Sequence, residues 1–358
     1  MWRKLVAFMR FDGGSGDAAK PVPARAPALS EVSFAPNPGN LRMFQYLPPS
    51  LGPNAPLVVI LHGCGQTASG YDLGTGWSQL AGQSGFALLA VEQKAANNPN
   101  TCFDWFNPED ITRGEGEAAS IARMVQAMVE THRLDASRIF VTGLSAGGAM
   151  TAVMLATYPE IFAGGAIIAG LAFGSARNVL EALESMRSAP LRTPAQWGAS
   201  VRAASDHKTP WPKVSIWHGA LDAVVNINNA QASLAQWADL HGLALMDAAQ
   251  EMVDGAVRLS WDDRLEVYTL PAMGHGTPIA SRDLGQPAPF ILDAGISSTR
   301  RIAQFWGLAP TVALRPPPAE ALPKIEAALM RHPMSAQAVE KQNLVLRALK
   351  AVGLIRRR

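Results

Sequence analysis

The segment Gly143-Leu144-Ser145-Ala146-Gly147 places a serine between two glycines, after an apolar run at 139–142 and before an Ala-rich helical pattern. A serine hydroxyl becomes an effective nucleophile only when it is held accessible and a base can take its proton. Flanking glycines permit a tight strand-to-helix turn that lifts the hydroxyl clear of a sheet. The N-terminus of the helix that follows favours negative charge on an oxygen bound there. The spacing therefore predicts Ser145 as the nucleophile of an acyl-transfer reaction.

The base should lie beyond the last core strand, on a loop free to place an imidazole over the serine. His275 meets this condition: Gly274 and Gly276 flank it, directly after an apolar run at 265–270. The other six histidines fit less well. His132 and His241 close helical patterns, where a cation complements the helix dipole. His62 follows an early strand, His218 precedes the candidate acid, and His207 and His332 lie in a candidate cap and in the C-terminal tail. The third group should be a carboxylate that holds the imidazole in one tautomer and stabilises its charged form. Asp222 follows the run at 214–218 and gives the chain order Ser, Asp, His. Asp262 and Asp263 precede a strand and so stand at its wrong end. For the oxyanion, one backbone N–H is expected from Ala146 and a second from the turn Leu61-His62-Gly63-Cys64-Gly65-Gln66. Cys64 is the expected donor, with Gly65 as the alternative. Such a cycle needs no metal and no organic cofactor.

These residues need a scaffold that brings strand ends together. Short apolar runs at 43–47, 57–61, 86–91, 139–142, 165–169, 214–218 and 265–270 read as strands. Helical patterns at 77–83, 115–132, 146–158, 228–241 and 299–306 lie among them. Strands alternating with helices imply a mostly parallel central sheet covered on both faces. The wholly apolar run at 57–61 suits a central strand. Residues 1–40 read as a flexible leader, 41–310 as the catalytic domain, and 311–358 as a proline linker with a helical C-terminal extension. Within the domain, residues 171–212 break the alternation, either as a cap insertion over the site or as a surface excursion.

The 358 residues are 48% hydrophobic and 17% charged, with a net charge of +2. That composition suits a globular domain with a sizeable core. With no basic stripe interleaved with aromatics, nucleic acid is not an expected partner. No apolar run reaches bilayer-spanning length, so no transmembrane segment is expected. Met1 to Arg10 lacks a convincing signal-peptide pattern, which by sequence favours a cytoplasmic location. The two cysteines, Cys64 and Cys102, could form one disulfide or remain two buried thiols. Nothing in the sequence sets the oligomeric state.

Several spaced segments together resemble the polyhydroxybutyrate-depolymerase-type esterases, a family with poly(3-hydroxyalkanoate) depolymerases and feruloyl or acetylxylan esterases among its members. They are LHGCGQ at 61–66, NPNTCFDWF at 98–106, GLSAGG at 143–148, YPEIFAG at 158–164, HGALD at 218–222, MGHG at 273–276 and GISST at 295–299. The resemblance implies an α/β-hydrolase fold and hydrolysis of carboxylic esters through an acyl-enzyme. It agrees with Ser145, Asp222 and His275 as a triad. The expected substrates are hydroxyalkanoate oligomers or polyester, with feruloyl or acetylxylan esters as the alternative. A non-catalytic polymer-associated binding protein of the same fold is the rival of another class. Members of the family are often extracellular, which contrasts with the N-terminus here. Trp105 and Phe106 are candidate substrate-binding residues, or else anchors of their loop in the core.

Overall fold

A computed structural model describes residues 29–310, so the expected helices of the tail lie outside the described residues. Strands β1 (Ser30–Val32), β2 (Arg42–Tyr46) and β3 (Leu57–Leu61) lead into helices α1 (Ala68–Thr75) and α2 (Trp77–Ser84). Next come β4 (Ala87–Glu92), α3 (Pro108–Ile111), α4 (Gly116–His132), β5 (Ile139–Leu144), α5 (Ala146–Thr157) and β6 (Gly164–Ile168). Helices α6 (Val179–Arg187) and α7 (Pro194–Arg202) precede β7 (Lys213–Gly219) and α8 (Asn228–His241). The described chain finishes with β8 (Ala249–Val253), β9 (Ala256–Trp261), β10 (Leu265–Leu270), β11 (Thr277–Ile279), β12 (Ile291–Asp293) and α9 (Ser298–Phe305).

The main sheet has the order β1-β2-β4-β3-β5-β6-β7-β10-β9-β8. Its six central strands, β4 to β10 in that order, are all parallel, and each edge adds two strands through antiparallel pairing. This is the α/β-hydrolase architecture. Alternation along the central strands divides the core. Leu57, Val59 and Leu61 of β3 enter one apolar cluster, and Val58 and Ile60 enter the cluster on the opposite face. Both faces are dry because helices cover both, which is why β3 reads as an unbroken apolar run. On the second face, Trp306 stacks on Phe140 at 4.9 Å and on Trp77 at 5.8 Å, fastening α9 to the sheet. Among the described residues no helix is long and apolar enough to cross a membrane.

Elements not anticipated from sequence have local causes. Ser30 to Val32 lie in the expected leader, yet they form β1, a short polar edge strand tied to β2 by Arg42 and Glu31. Its side chains are mostly exposed, so no apolar alternation marks it. The hairpin β8–β9 is equally inconspicuous because β8 is largely exposed. Its turn residues, Asp254 and Gly255, both have positive φ (49° and 82°), the conformation that an Asp-Gly hairpin turn requires. Residues 171–212 are packed rather than loose. Trp197 of α7 is buried beside Ala172 and Ala232. Gln236 of α8 bonds the Phe173 backbone at both N–H and carbonyl (3.0 Å each) and the Trp197 carbonyl at 3.1 Å.

One buried carboxyl makes stability depend on pH. Helix α2 starts after Gly76, which has no side chain to cap it, and Asp72 Oδ1 accepts the Ser78 N–H instead at 2.7 Å. Burial raises the Asp72 pKa to about 6, against hydrogen bonds from Ser78 that lower it. The folded chain therefore holds a proton that the unfolded chain releases near pH 4, and stability falls as pH rises through this window. Asp72→Asn is expected to gain stability relative to wild type between pH 4 and 7, by up to about 3 kcal/mol. Urea unfolding at several pH values checks this; a stability difference that stays constant with pH refutes it.

Candidate active site

Strand order reverses between β3 and β5. From β3 the chain moves outward to β4, and from β5 onward it proceeds through β6 and β7 on the other side. In such sheets the crevice beyond the carboxyl ends at the reversal is where ligands bind. The chain places His62-Gly63-Cys64 after β3 and Ser145 after β5, on the two sides of that crevice.

Ser145 is strained, with φ 58° and ψ −116°. A non-glycine residue in this region costs on the order of 1–3 kcal/mol, so its surroundings must enforce it. Its N–H donates to the Ile168 carbonyl at 2.9 Å. A Cβ on Gly147 would stand 2.2 Å from the Leu61 carbonyl, and one on Gly143 would stand 2.4 Å from the Gly147 carbonyl. Both glycines are therefore required by close approach of strand, helix and the β3 loop. Ala146 begins α5, where its N–H has no partner within the helix.

The β3 loop has its own donor arithmetic. The Gly63 N–H donates to Gln66 Oε1 at 2.9 Å, the Gly65 N–H to the Asn100 carbonyl at 2.8 Å, and the Gln66 N–H to the Gly63 carbonyl at 3.2 Å. Among the described residues the Cys64 N–H has no partner, whereas the Gly65 N–H is engaged. Behind the loop, Gln93 N–H donates to His62 Nε2 at 3.1 Å, so the His62 proton is on Nδ1 and donates to the Gly63 carbonyl at 2.8 Å. Burial pushes the His62 pKa down, which keeps the ring neutral. A peptide unit is planar and trans, with its C=O and N–H pointing in opposite directions. Holding the Gly63 carbonyl inward therefore aims the Cys64 N–H outward. Cys64 and Cys102 are joined by a disulfide, which fastens this loop to the segment after β4.

His275 and Asp222 meet as the sequence implies. His275 Nδ1 lies 2.7 Å from Asp222 Oδ2, and the Asp222 side chain is wholly buried. Asp222 Oδ1 accepts the N–H groups of Val224 (2.9 Å) and Val225 (2.8 Å). His218 Nε2 lies 2.8 Å from the Val225 carbonyl and 3.3 Å from Asp222 Oδ2. Because a carbonyl only accepts, that nitrogen carries a proton and serves both oxygens. Burial opposes ionisation of Asp222, but hydrogen bonds from His218 and His275 outweigh it and hold the carboxyl well below the usual range. Close packing of the strand ends fixes the loop: a Cβ on Gly219 would stand 2.3 Å from the Met273 carbonyl. No hydrogen bond joins Ser145 to His275 among the described residues; such contacts often tighten only around substrate.

Of the two candidate substrate-binding aromatics, Trp105 is buried in the main core cluster and Phe106 is only partly buried against it. Phe106 lines a cavity of about 470 Å³. Three supporting groups were not assigned from sequence: His218 behind Asp222, and Gln93 and Glu117 behind His62. Gln93 Nε2 bonds the Cys102 carbonyl at 3.1 Å and also Glu117 Oε1. No spacing rule links residues 62, 93 and 117, so only the fold brings them together. His218 stands four residues before Asp222 in HGALD, the one local signal available.

Comparisons with known proteins agree with this geometry. The model of the family described as "Esterase PHB depolymerase" matches residues 41–260. The chain is 42% identical to a poly(3-hydroxyalkanoate) depolymerase C of Paucimonas lemoignei, over 78% of this chain and 70% of that protein. It is 33% identical to acetylxylan esterase A of Emericella nidulans, over 75% of this chain and 90% of that protein. Among solved structures, the acetyl xylan esterase from Aspergillus awamori superimposes with a TM-score of 0.68 at 26% identity, covering 78% of this chain and 99% of that one. With an α/β-hydrolase sheet, a serine at its switch point and relatives of this kind, the chain belongs to the PHB-depolymerase esterase family and is a carboxylic ester hydrolase.

Proposed function

We propose that Ser145, His275 and Asp222 form the catalytic triad, with the N–H groups of Cys64 and Ala146 as oxyanion donors. The observation that carries this reading is the 2.7 Å bond from His275 Nδ1 to the buried Asp222 carboxylate. It leaves Nε2 as the lone-pair nitrogen that can accept the serine proton. His275 takes that proton as Ser145 Oγ attacks the ester carbon, and the oxyanion is held by the two N–H groups. His275 then returns the proton to the departing alcohol oxygen. Water adds to the acyl-enzyme by the same route, releasing the acid and restoring Ser145.

The substrates we propose are esters of 3-hydroxyacids, as soluble oligomers or as polyester. The higher identity to the depolymerase than to the acetylxylan esterase supports that choice. Parallel assays of 3-hydroxybutyrate oligomers, acetylated xylan and methyl ferulate test it. Faster turnover of either plant-derived ester than of the oligomers overturns the substrate assignment.

His62 acts in this scheme as a positioning residue for the Cys64 N–H. His62→Phe is expected to lower kcat about 10- to 100-fold with KM little changed, because one oxyanion donor is typically worth a hundred- to thousandfold. His62→Asn, whose amide can donate near the Nδ1 position, should recover part of the loss. Affinity for a boronic acid transition-state analogue should fall in step with kcat. A rise in KM alone, with analogue affinity intact, contradicts the positioning role.

A further inference from the structure

In the sheet β3 and β5 lie between β4 and β6, so the loops after β4 and β6 meet above the strand ends that bear Cys64 and Ser145. Between those loops is the cavity of about 470 Å³, with Asn98, Asp104 and Phe106 on one side and Arg177 and Asn178 on the other. Most of its polar groups are already engaged. Asn98 Nδ2 donates to Asp104 Oδ1 at 2.8 Å. Asn178 Nδ2 donates to Glu181 Oε1 at 2.8 Å, and Glu181 Oε2 accepts the Arg177 backbone N–H at 2.9 Å. The Arg177 guanidinium differs: among the described residues it has no hydrogen bond and no ion pair. A second guanidinium stands close by. Arg192 lies over the Trp197 ring at 4.5 Å, and after burial the charge of Arg177 is the next cause that lowers its pKa. A cavity between the loops that follow β4 and β6, the strands flanking β3 and β5, thus has at its wall a guanidinium fork with no partner among the described residues, and a second cation near it. A planar fork of this kind matches a carboxylate.

The ester class proposed above supplies a carboxylate at a defined end. In a linear 3-hydroxyacid oligomer the acyl part keeps the free hydroxyl, and the part that leaves as alcohol carries the terminal carboxylate. Hydrolysis breaks the acyl C–O bond, adding OH from water to the acyl carbon and H to the alcohol oxygen. We propose that this cavity is an alcohol-side subsite in which Arg177 binds the terminal carboxylate of a hydroxyacid oligomer while Phe106 packs on its methyl-bearing chain. The proposal rests on Ser145 as nucleophile and deepens that reading.

The test compares 3-hydroxybutyrate dimer, trimer and tetramer, each as free acid and as methyl ester, by initial rates at low salt. Wild type is expected to show a KM about five- to tenfold lower for the free acid, at the length that spans the two sites, and to lose this advantage as salt is raised. Arg177→Gln should bring the acid-to-ester ratio to about one, and Arg177→Lys should keep part of the preference. Because the ratio is read within each protein, a general loss of activity or of folding cancels. Wild type treating acid and methyl ester alike at every length overturns the subsite, as does an Arg177→Gln ratio equal to that of wild type. Wild-type hydrolysis of p-nitrophenyl acetate that persists in Ser145→Ala instead marks failure of the underlying reading.

Discussion

Ser145→Ala is expected to lower kcat for p-nitrophenyl acetate about 10⁵- to 10⁶-fold, the scale seen when a triad nucleophile is deleted. The residue that remains should come from the oxyanion N–H groups, which the substitution leaves in place. The fold should be retained. Alanine has the same backbone preferences as serine at φ 58°, and the Ser145 N–H to Ile168 bond is independent of the side chain. Steady-state kinetics paired with a thermal unfolding curve check both halves, and fluorophosphonate labelling should be lost with the hydroxyl. Retention of more than about one per cent of wild-type turnover, in a protein freed of contaminating esterase, sinks Ser145 as nucleophile.

Asp222→Asn is expected to cost nearly as much, about 10⁴-fold in kcat, for a reason specific to this pocket. All four neighbours of the carboxylate are donors: the N–H groups of Val224 and Val225 on Oδ1, and His275 and His218 on Oδ2. An asparagine can satisfy only one side. If its oxygen stays on the two backbone N–H groups, its NH₂ faces His275 Nδ1. The imidazole must then turn its lone pair to that NH₂, which moves its proton to Nε2. In that tautomer it cannot accept the proton of Ser145. The His218 N–H meets the same NH₂, so stability should also fall, by about 1–3 kcal/mol. Kinetics and urea unfolding of the variant give both numbers. A loss of less than tenfold in kcat would show that Asp222 does not control the His275 tautomer.

The chain order of Ser145, Asp222 and His275 was legible because each stands directly beyond an apolar strand run, and strands buried on both faces announce themselves as unbroken apolar stretches. The glycines flanking Ser145 were legible for a related reason: backbone carbonyls that would stand 2.2 Å (at Gly147) and 2.4 Å (at Gly143) from an added Cβ exclude every other residue. The edge strands β1 and β8 were not legible. Most of their side chains face water, and polar residues there leave no period to read. The sequence placed Cys64 and Gly65 in the same turn and favoured Cys64, but it left Gly65 as an alternative. That choice depends on which N–H the distant Asn100 carbonyl engages, a contact made across 35 residues by the fold alone. The pairing of Cys64 with Cys102 was open in the same way. The sequence by itself determined the candidate nucleophile, base and acid and the parallel sheet, because local pattern encodes which strand end each residue occupies. Only the tertiary structure decided how donors are allotted: the Gly65 N–H on the Asn100 carbonyl, the Gln93 N–H on His62, and the Arg177 guanidinium without a partner among the described residues. Hydrogen bonds are allotted by proximity in space, and sequence spacing carries no record of proximity between separate loops.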